Sequence, residues 1–180
     1  MAEEEILQVF DDQRTPIAEI PRSVVKADPR IHWYGVINVW LVNKGGEILC
    51  TKRSDTVKNN PGKWQTFAGG HLKAGQSYVD AAIAELDEEL GLKIDPSKLV
   101  LMTARSNTEI LCHFENLAYP LDVPSEEVEF PDGEIVEANW MSIGDYFADK
   151  TASPEKWCNG ISDEGRDKLV AWIEDGRPTV

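Results

Sequence analysis

Hydrophobic residues in the first third of the chain recur at the spacing of β-strands. Two short apolar runs flank a polar turn at residues 11–14, a pattern that predicts a hairpin over about residues 5–22. A longer run that is rich in β-branched and aromatic residues, Trp33–Val42, predicts a central strand. Turn residues then lead to Glu47–Arg53, and these two strands are expected to form a second hairpin.

The pattern changes to a helical period after residue 76. Ser77 and Asp80 have the spacing of an N-terminal capping box. The apolar residues that follow lie four, three and four positions apart, and the run ends at a glycine: Val79, Ile83, Leu86, Leu90 and Gly91. This combination predicts a helix that begins after residue 76 and ends at residue 90.

The rest of the chain alternates apolar runs with polar or proline-containing segments. Further strands are predicted at residues 99–103, 110–114 and 135–141, and a last helix at about residues 162–173. Residues 149–160 have the composition of a loosely attached connection. We therefore expect a single α/β domain over residues 1–180, in which a mixed β-sheet is flanked by helices.

Composition narrows the classes of function. The chain has 180 residues and a net charge of −14, which disfavours nonspecific binding to nucleic acid or to an anionic membrane. No apolar run approaches the length of a membrane span and the N-terminus is acidic, so we expect a soluble, cytoplasmic protein. Its three cysteines have no close pair, which favours packed, reduced thiols over a disulfide or zinc framework.

Three carboxylates are spaced to lie together on the predicted helix. Glu85, Glu88 and Glu89 stand at i, i+3 and i+4, and residues 76–90 contain no basic residue that could offset their repulsion. A divalent cation is one solution, because hard carboxylate oxygens suit Mg²⁺ or Mn²⁺ in phosphate chemistry. The alternative is an acidic helix face in solvent.

The segment from Gly70 to Leu92 resembles the Nudix box, with the pattern G-x5-E-x7-R-E-U-x-E-E-x-G-U, where U is aliphatic. Seven of the nine specified positions agree. The resemblance implies an αβα sandwich around a mixed sheet, and cleavage of a nucleoside diphosphate derivative or a related diphosphate with Mg²⁺ or Mn²⁺. It also implies that the three glutamates bind metal. We expect Glu85 and Glu89 to be the main ligands and Glu88 to be a ligand or base, which makes Glu88 and Glu89 the catalytic candidates.

Two positions depart from the family pattern. Gln76 stands where the family has glutamate, and Ala84 where it has an arginine that orients the carboxylates. Losing such a supporting group commonly weakens metal affinity or activity by roughly 10- to 100-fold. A noncatalytic nucleotide or diphosphate sensor is therefore the alternative to a hydrolase.

The wider chain is similar to the branch of this superfamily that includes type I isopentenyl diphosphate isomerase. His32 and His71 match two isomerase metal ligands, and Glu109 lies near the position of its catalytic glutamate. The isomerases need a cysteine two residues before the histidine matched by His71, and this chain has Gly69 there. Glycine supplies no thiol acid or base, so we expect a hydrolase rather than an isomerase.

Basic and glycine residues around the box are the substrate-binding candidates. Arg53 offers a bidentate fork for phosphate, with Lys52 and Lys58 nearby, although both lysines also suit a solvated strand end. Gly70 allows a close approach of backbone to ligand, and His71 is either a phosphate or metal contact or a residue that fixes the loop.

The remaining expectations concern a further acidic segment and the partners. The acidic stretch at residues 125–129 is either an added source of a ligand or base, or a solvated charge run. The expected partner is a small diphosphate or nucleotide, with no nucleic acid and no membrane. A homodimer remains open from the sequence.

Overall fold

The computed structural model describes residues 4–158 and 160–176. Residues 1–3, 159 and 177–180 of the predicted domain lie outside the described residues. In chain order the elements are β1 Ile6–Phe10, β2 Pro16–Pro21, α1 Arg22–Ala27, β3 Trp33–Val42, β4 Glu47–Arg53, β5 Trp64–Gln65, α2 Tyr78–Leu90, β6 Val100–Asn107, β7 Cys112–Pro120, β8 Ile135–Ser142, α3 Ile143–Ala152 and α4 Asp163–Glu174.

The strands form one mixed sheet of eight strands around β3. The predicted N-terminal hairpin, β1 and β2, is antiparallel and joins β3 on one side. On the other side β3 pairs in parallel with β7 along its whole length, from Tyr34 opposite Cys112 to Val42 opposite Pro120. β6 extends the sheet beyond β7, and β4 pairs with β5 and β8.

β3 and β4 separate beyond their hairpin, and the segment before α2 runs along β3 in the gap. The register of the hairpin contains a single pair, Val42 opposite Ile48. Ala68 and His71 form isolated bridges to β3, and Lys73 forms one to Leu7 of β1. Backbone hydrogen bonds hold residues 68–73 in this extended path, including Ile37 N–H to the Gly70 carbonyl at 3.0 Å. This segment therefore forms part of the sheet and fixes where the box begins.

Helices cover both faces of the sheet, so the expected αβα arrangement is confirmed. α2 packs its buried Leu86 and Leu90 into a cluster with Ile37, Val39 and Leu41 of β3. On the opposite face, Trp40 of β3 lies in a second cluster with residues of α3 and α4, and a third cluster lies under α1. None of the described helices combines the length and apolarity that a membrane crossing requires.

Residues 149–158 pack against the core, so the expectation of a loose connection is wrong for this part of the segment. Its first residues continue α3, and Trp157 is 4% exposed. The Trp157 indole Nε1–H donates to Asp149 Oδ2 at 2.9 Å, and the Cys158 N–H donates to the Trp64 carbonyl at 2.8 Å. Burial of the apolar surface of Trp157 stabilises the packing of this segment against the core. The polar composition of the segment gives no sign of that burial. All three cysteines are free and buried.

Candidate active site

α2 presents its three glutamates in two different environments. The helix begins at the Ser77–Asp80 capping box and ends at Gly91, which has a positive φ of 64°. Glu89 is only 5% exposed, Glu85 is half-buried, and Glu88 is exposed. All three glutamates line one cavity, and they differ in how far they are buried.

Glu88 has a protein partner. Lys73 Nζ lies 3.1 Å from both carboxylate oxygens of Glu88. Part of the repulsion between the glutamates is thus offset by a lysine from the segment before the helix, which the sequence analysis did not include among the site residues. An exposed pair of this kind stabilises the fold little, about 0–1 kcal/mol, and mainly fixes the position of the carboxylate.

The electrostatics of Glu85 and Glu89 are unusual for exposed acidic residues. Burial raises the pKa of Glu85 to about 7; Lys73 opposes the shift and Glu88 adds to it. Burial raises the pKa of Glu89 well above its usual range, with Glu85 and Asp132 adding to the shift and Arg53 opposing it. Oε2 of Glu89 is buried with no hydrogen-bond partner among the described residues. A buried acid with an unpartnered oxygen, beside a second acid that is half-buried, is costly in a fold unless a ligand binds them.

Gly70 makes room for the Glu85 carboxylate. A Cβ atom on residue 70 would lie 2.2 Å from Oε1 and 2.6 Å from Cδ of Glu85, closer than any real contact. A glycine at residue 70 allows a close approach to the backbone, and the group that approaches is the Glu85 carboxylate.

A cavity of about 450 Å³ lies in front of these carboxylates, with cations on its wall. Arg53 is held there by three groups: its Nε donates to the Asn59 carbonyl at 3.0 Å, Nη1 to Gln65 Oε1 at 3.3 Å, and Nη2 lies 3.5 Å from Glu134 Oε2. The other basic residues lining the cavity are Arg22, Lys63 and Lys73. Arg53 is thus a preorganised guanidinium opposite the glutamates.

Lys52 and Lys58 do not line this cavity, so the structure does not bring them together with Arg53. Adjacent residues of a strand face opposite sides of the sheet, which places Lys52 of β4 on the other side from Arg53. Lys58 is exposed in the following loop. Lys63, beyond that loop, lines the cavity instead.

His71 does line the cavity, but as a neutral group. Burial lowers the pKa of His71 to about 3, and Lys26 and Arg22 act in the same direction. Its imidazole can therefore donate or accept a hydrogen bond at neutral pH, and it carries no charge to attract a phosphate.

Additional carboxylates in the cavity come from the loop before β8. Asp132 and Glu134 line it, whereas the glutamates of the acidic stretch at 125–129 do not. The charge density of that stretch makes it a candidate, but the residues that reach the site are set by the pairing of β8 with β4, in which Ile135 lies opposite Arg53.

The two departures from the box have local consequences. Gln76 Oε1 accepts a hydrogen bond from the Lys73 backbone N–H at 2.9 Å, so residue 76 closes the loop before α2. Ala84 offers no guanidinium to the carboxylates, and the buried Oε2 of Glu89 lacks a partner in the part of the chain that is described. Gln76 therefore keeps a structural role, while Ala84 leaves the carboxylate unsupported.

The donor set fits a cation that also binds substrate. Within residues 4–158 and 160–176, no three His, Cys, Asp or Glu side chains are grouped tightly enough to hold a metal ion by themselves. Mg²⁺ commonly binds one or two carboxylates and completes its octahedron with water and substrate phosphates. Glu85 and Glu89, with one orphaned oxygen, match that requirement.

Gly69 leaves no space for the thiol that an isomerase requires. A Cβ on residue 69 would lie 2.1 Å from the Ile37 carbonyl oxygen and 3.0 Å from Asn38 Cα. Both are backbone atoms of the central strand β3, which cannot move aside cheaply. A cysteine at residue 69 would therefore clash with the backbone of β3.

Comparisons with known proteins agree with this architecture. Isopentenyl-diphosphate Delta-isomerase of Escherichia coli (strain K12) is 29% identical over 156 residues, 82% of this chain and 85% of that protein. An uncharacterized Nudix hydrolase of Pseudomonas aeruginosa is 32% identical over 93 residues, 49% of this chain and 52% of that protein. The crystal structure of DR0079 from Deinococcus radiodurans has a TM-score of 0.70 at 20% identity, covering 95% of this chain and 98% of that one. The NUDIX domain model matches residues 32–158, well over half of the chain. The protein therefore belongs to the Nudix family.

Proposed function

We propose that the protein is a metal-dependent hydrolase that cleaves the diphosphate bond of a nucleoside diphosphate derivative or a related small diphosphate. One observation carries the proposal: the buried Glu89, whose Oε2 has no hydrogen-bond partner among the described residues, and the half-buried Glu85 line the same cavity as a preorganised Arg53. Acidic and basic groups arranged in this way suit a cation and the phosphate oxygens it neutralises.

The charge and burial of each residue in the cavity indicate its role in the proposed reaction. Glu85 and Glu89 would hold Mg²⁺ or Mn²⁺, which when bound neutralises charge developing on the phosphate oxygens and activates water. Arg53 and Lys63 bind the phosphates from the opposite wall. Glu88, exposed at the mouth and oriented by Lys73, is placed to accept a proton from water. His71, neutral, orients a phosphate oxygen or the loop by a hydrogen bond.

The named activity of the isomerase relative does not transfer to this chain. This chain and the isomerase resemble the same family. In this chain, however, the Ile37 carbonyl blocks the position that the required thiol would occupy. We therefore infer hydrolysis, with water as the acceptor, from the same metal and phosphate site.

A panel of nucleoside diphosphate derivatives and small diphosphates, assayed with Mg²⁺, with Mn²⁺ and with EDTA, tests the proposal. We expect phosphate or nucleotide release that depends on the metal and is abolished by EDTA. Tight nucleotide binding without any release would contradict the hydrolase and support the sensor. Hydrolysis that continues in EDTA would contradict the metal-dependent mechanism.

Arg53→Lys is expected to lower kcat/KM by about 10- to 100-fold, mainly through KM. A hydrogen bond to a charged group contributes about 1.5–3 kcal/mol, and lysine cannot reproduce the bidentate fork. Lys58→Ala is the control, because Lys58 is exposed and does not line the cavity. Steady-state kinetics distinguishes the two; equal effects of both substitutions would remove Arg53 from the phosphate site.

A further inference from the structure

A second groove adjoins the proposed diphosphate site on the opposite side of the box segment. Its volume is about 700 Å³. Phe67, Gly69, Gly70 and His71 line both cavities and form the wall between them. A substrate whose diphosphate lies against Gly70 can therefore extend into this groove without leaving the protein surface.

The groove exists because helices do not cover this part of the sheet. On one side of it, Tyr34 and Cys112 lie in the cluster under α1. On the other, Trp40 and Ala118 lie in the cluster under α3 and α4. The positions between them on the same face of β3 and β7 line the groove: Val36, Asn38, Phe114 and Asn116.

The floor of the groove carries an ordered polar relay. Asn38 and Asn116 are register partners across β3 and β7. Asn38 Nδ2 donates to Asn116 Oδ1 at 2.9 Å, and Asn116 Nδ2 donates to Thr103 Oγ1 at 2.7 Å. Asn116 is 6% exposed and Thr103 is 3% exposed. The relay fixes the amides and leaves Asn38 Oδ1 as an acceptor with no hydrogen bond from any described residue, suited to a hydroxyl donor.

The walls carry two cations without carboxylate partners. Lys26 Nζ lies 4.2 Å from the centroid of the Tyr34 ring, and the Arg105 guanidinium lies 5.4 Å from that of Phe114. Acidic residues outnumber basic ones by 32 to 18, yet neither cation forms an ion pair within residues 4–158 and 160–176. The acidic residue lining the groove is Glu109, which is exposed. This placement favours an anionic ligand.

Three of the aromatic side chains that line the groove are poorly placed to stack on a nucleobase. One face of Tyr34 is covered by Lys26 and one face of Phe114 by Arg105. Trp40 is only 2% exposed. Hydroxyl recognition by the amide relay and charge recognition by the cations remain available, which is the combination a phosphorylated sugar requires.

We propose that this groove binds a phosphorylated sugar on the organic half of the substrate, with Asn38 and Asn116 beneath its hydroxyl groups and Lys26 and Arg105 on its phosphate. This inference rests on the proposed function and deepens it. The preferred substrate class is a diphosphate that carries a second, separate phosphomonoester.

Binding of matched ligands tests the groove without relying on turnover. Isothermal titration calorimetry of the full chain is expected to show at least 10-fold tighter binding of adenosine 3′,5′-bisphosphate than of AMP, about 1.4 kcal/mol. The double substitution Lys26→Met and Arg105→Met should reduce that ratio to within about 2-fold of one. Lys168→Met, which removes one surface charge on α4 outside both cavities, should leave the ratio unchanged.

Hydrolysis provides an independent readout. Coenzyme A and dephospho-coenzyme A differ only in the 3′-phosphate, and we expect kcat/KM to favour coenzyme A by at least about 10-fold, with the preference weakening as salt increases. Equal binding of the two adenosine ligands, or a preference that survives the double substitution, would overturn the inference. If neither coenzyme nor any other diphosphate were hydrolysed while the binding preference held, the proposed function would fail and the groove assignment would stand.

Discussion

Glu89→Gln is expected to lower turnover by about 100-fold or more and, at the same time, to make the metal-free protein more stable. Glu89 is almost fully buried, and one of its oxygens has no hydrogen-bond partner within residues 4–158 and 160–176. Ionising it inside the fold therefore costs free energy that binding of a cation would offset. Glutamine keeps the shape but removes the charge, so the variant loses the proposed ligand and avoids the cost.

The sign of the stability effect follows from proton linkage. Because burial raises the pKa of Glu89 well above the ordinary value of 4.5, the folded protein holds the proton over a pH range where the unfolded chain has released it. Stability contributed by this protonated carboxyl is present below pH 4.5 and is lost as pH rises toward the folded pKa. The gain in Tm for Glu89→Gln should therefore be absent near pH 4.5 and largest in mildly alkaline buffer.

Thermal unfolding in EDTA and steady-state kinetics with Mg²⁺ check this pair of effects. We expect a Tm increase of at least about 2 °C at about pH 8. Glu88→Gln is the matched control for stability, since Glu88 is exposed on the same helix and pairs with Lys73. A rate that stays normal, or a Tm that falls in EDTA, would show that Glu89 is an ordinary structural side chain.

Gly70→Ala is the second substitution with a large expected effect. Its methyl group would lie 2.2 Å from Glu85 Oε1, so the carboxylate must leave its position against the backbone. We expect loss of measurable Mn²⁺ binding and a fall in turnover of about 100-fold or more, because a displacement of roughly 1 Å at a reacting centre can cost 100-fold. Global stability should change much less, since the displaced group is a costly buried acid.

Gly144→Ala is the control for the added methyl group. Gly144 lies in α3, and the nearest atom to a Cβ there is Ser142 Oγ at 3.9 Å. Alanine in a helix is favoured over glycine by about 0.5–1 kcal/mol, so this variant should be active and slightly more stable. Calorimetric Mn²⁺ titration of both variants decides the matter: unchanged metal binding in Gly70→Ala would remove Glu85 from the site.

The parts of the fold that local signals encode could be predicted from the sequence. The capping box at Ser77, the apolar spacing and Gly91 predict α2 to within two residues, and the run rich in β-branched and aromatic residues predicts β3. β7 is harder to predict from the sequence. The apolar pattern predicts a strand at residues 110–114, and the observed strand is Cys112–Pro120. The polar residues Glu115 and Asn116 interrupt its pattern, and its length is set by pairing with β3, which is far away in sequence.

The candidate site shows the same division. Arg53, Gly70, His71 and the glutamates lie in or near a recognisable motif, and the structure places them around one cavity. Glu134 and Lys63 reach it only because β4 pairs with β8 and with the strand after the loop. Their contribution depends on nonlocal pairing that spacing does not reveal. Lys52 does not line the cavity, and its charge alone does not reveal which face of the strand it occupies.

The extended segment at residues 68–73 ties the box to the start of the chain. Gln8 N–H donates to the Leu72 carbonyl, and Ala74 N–H donates to the Ile6 carbonyl, at 3.0 and 2.9 Å. The match to the family model begins only at residue 32. It therefore leaves out the N-terminal hairpin to which the box segment is hydrogen-bonded. A recombinant fragment trimmed to residues 32–158 would retain every glutamate of the motif but would lose the strand that aligns Lys73 with Glu88. Fragments intended for crystallisation or engineering should therefore retain the opening hairpin.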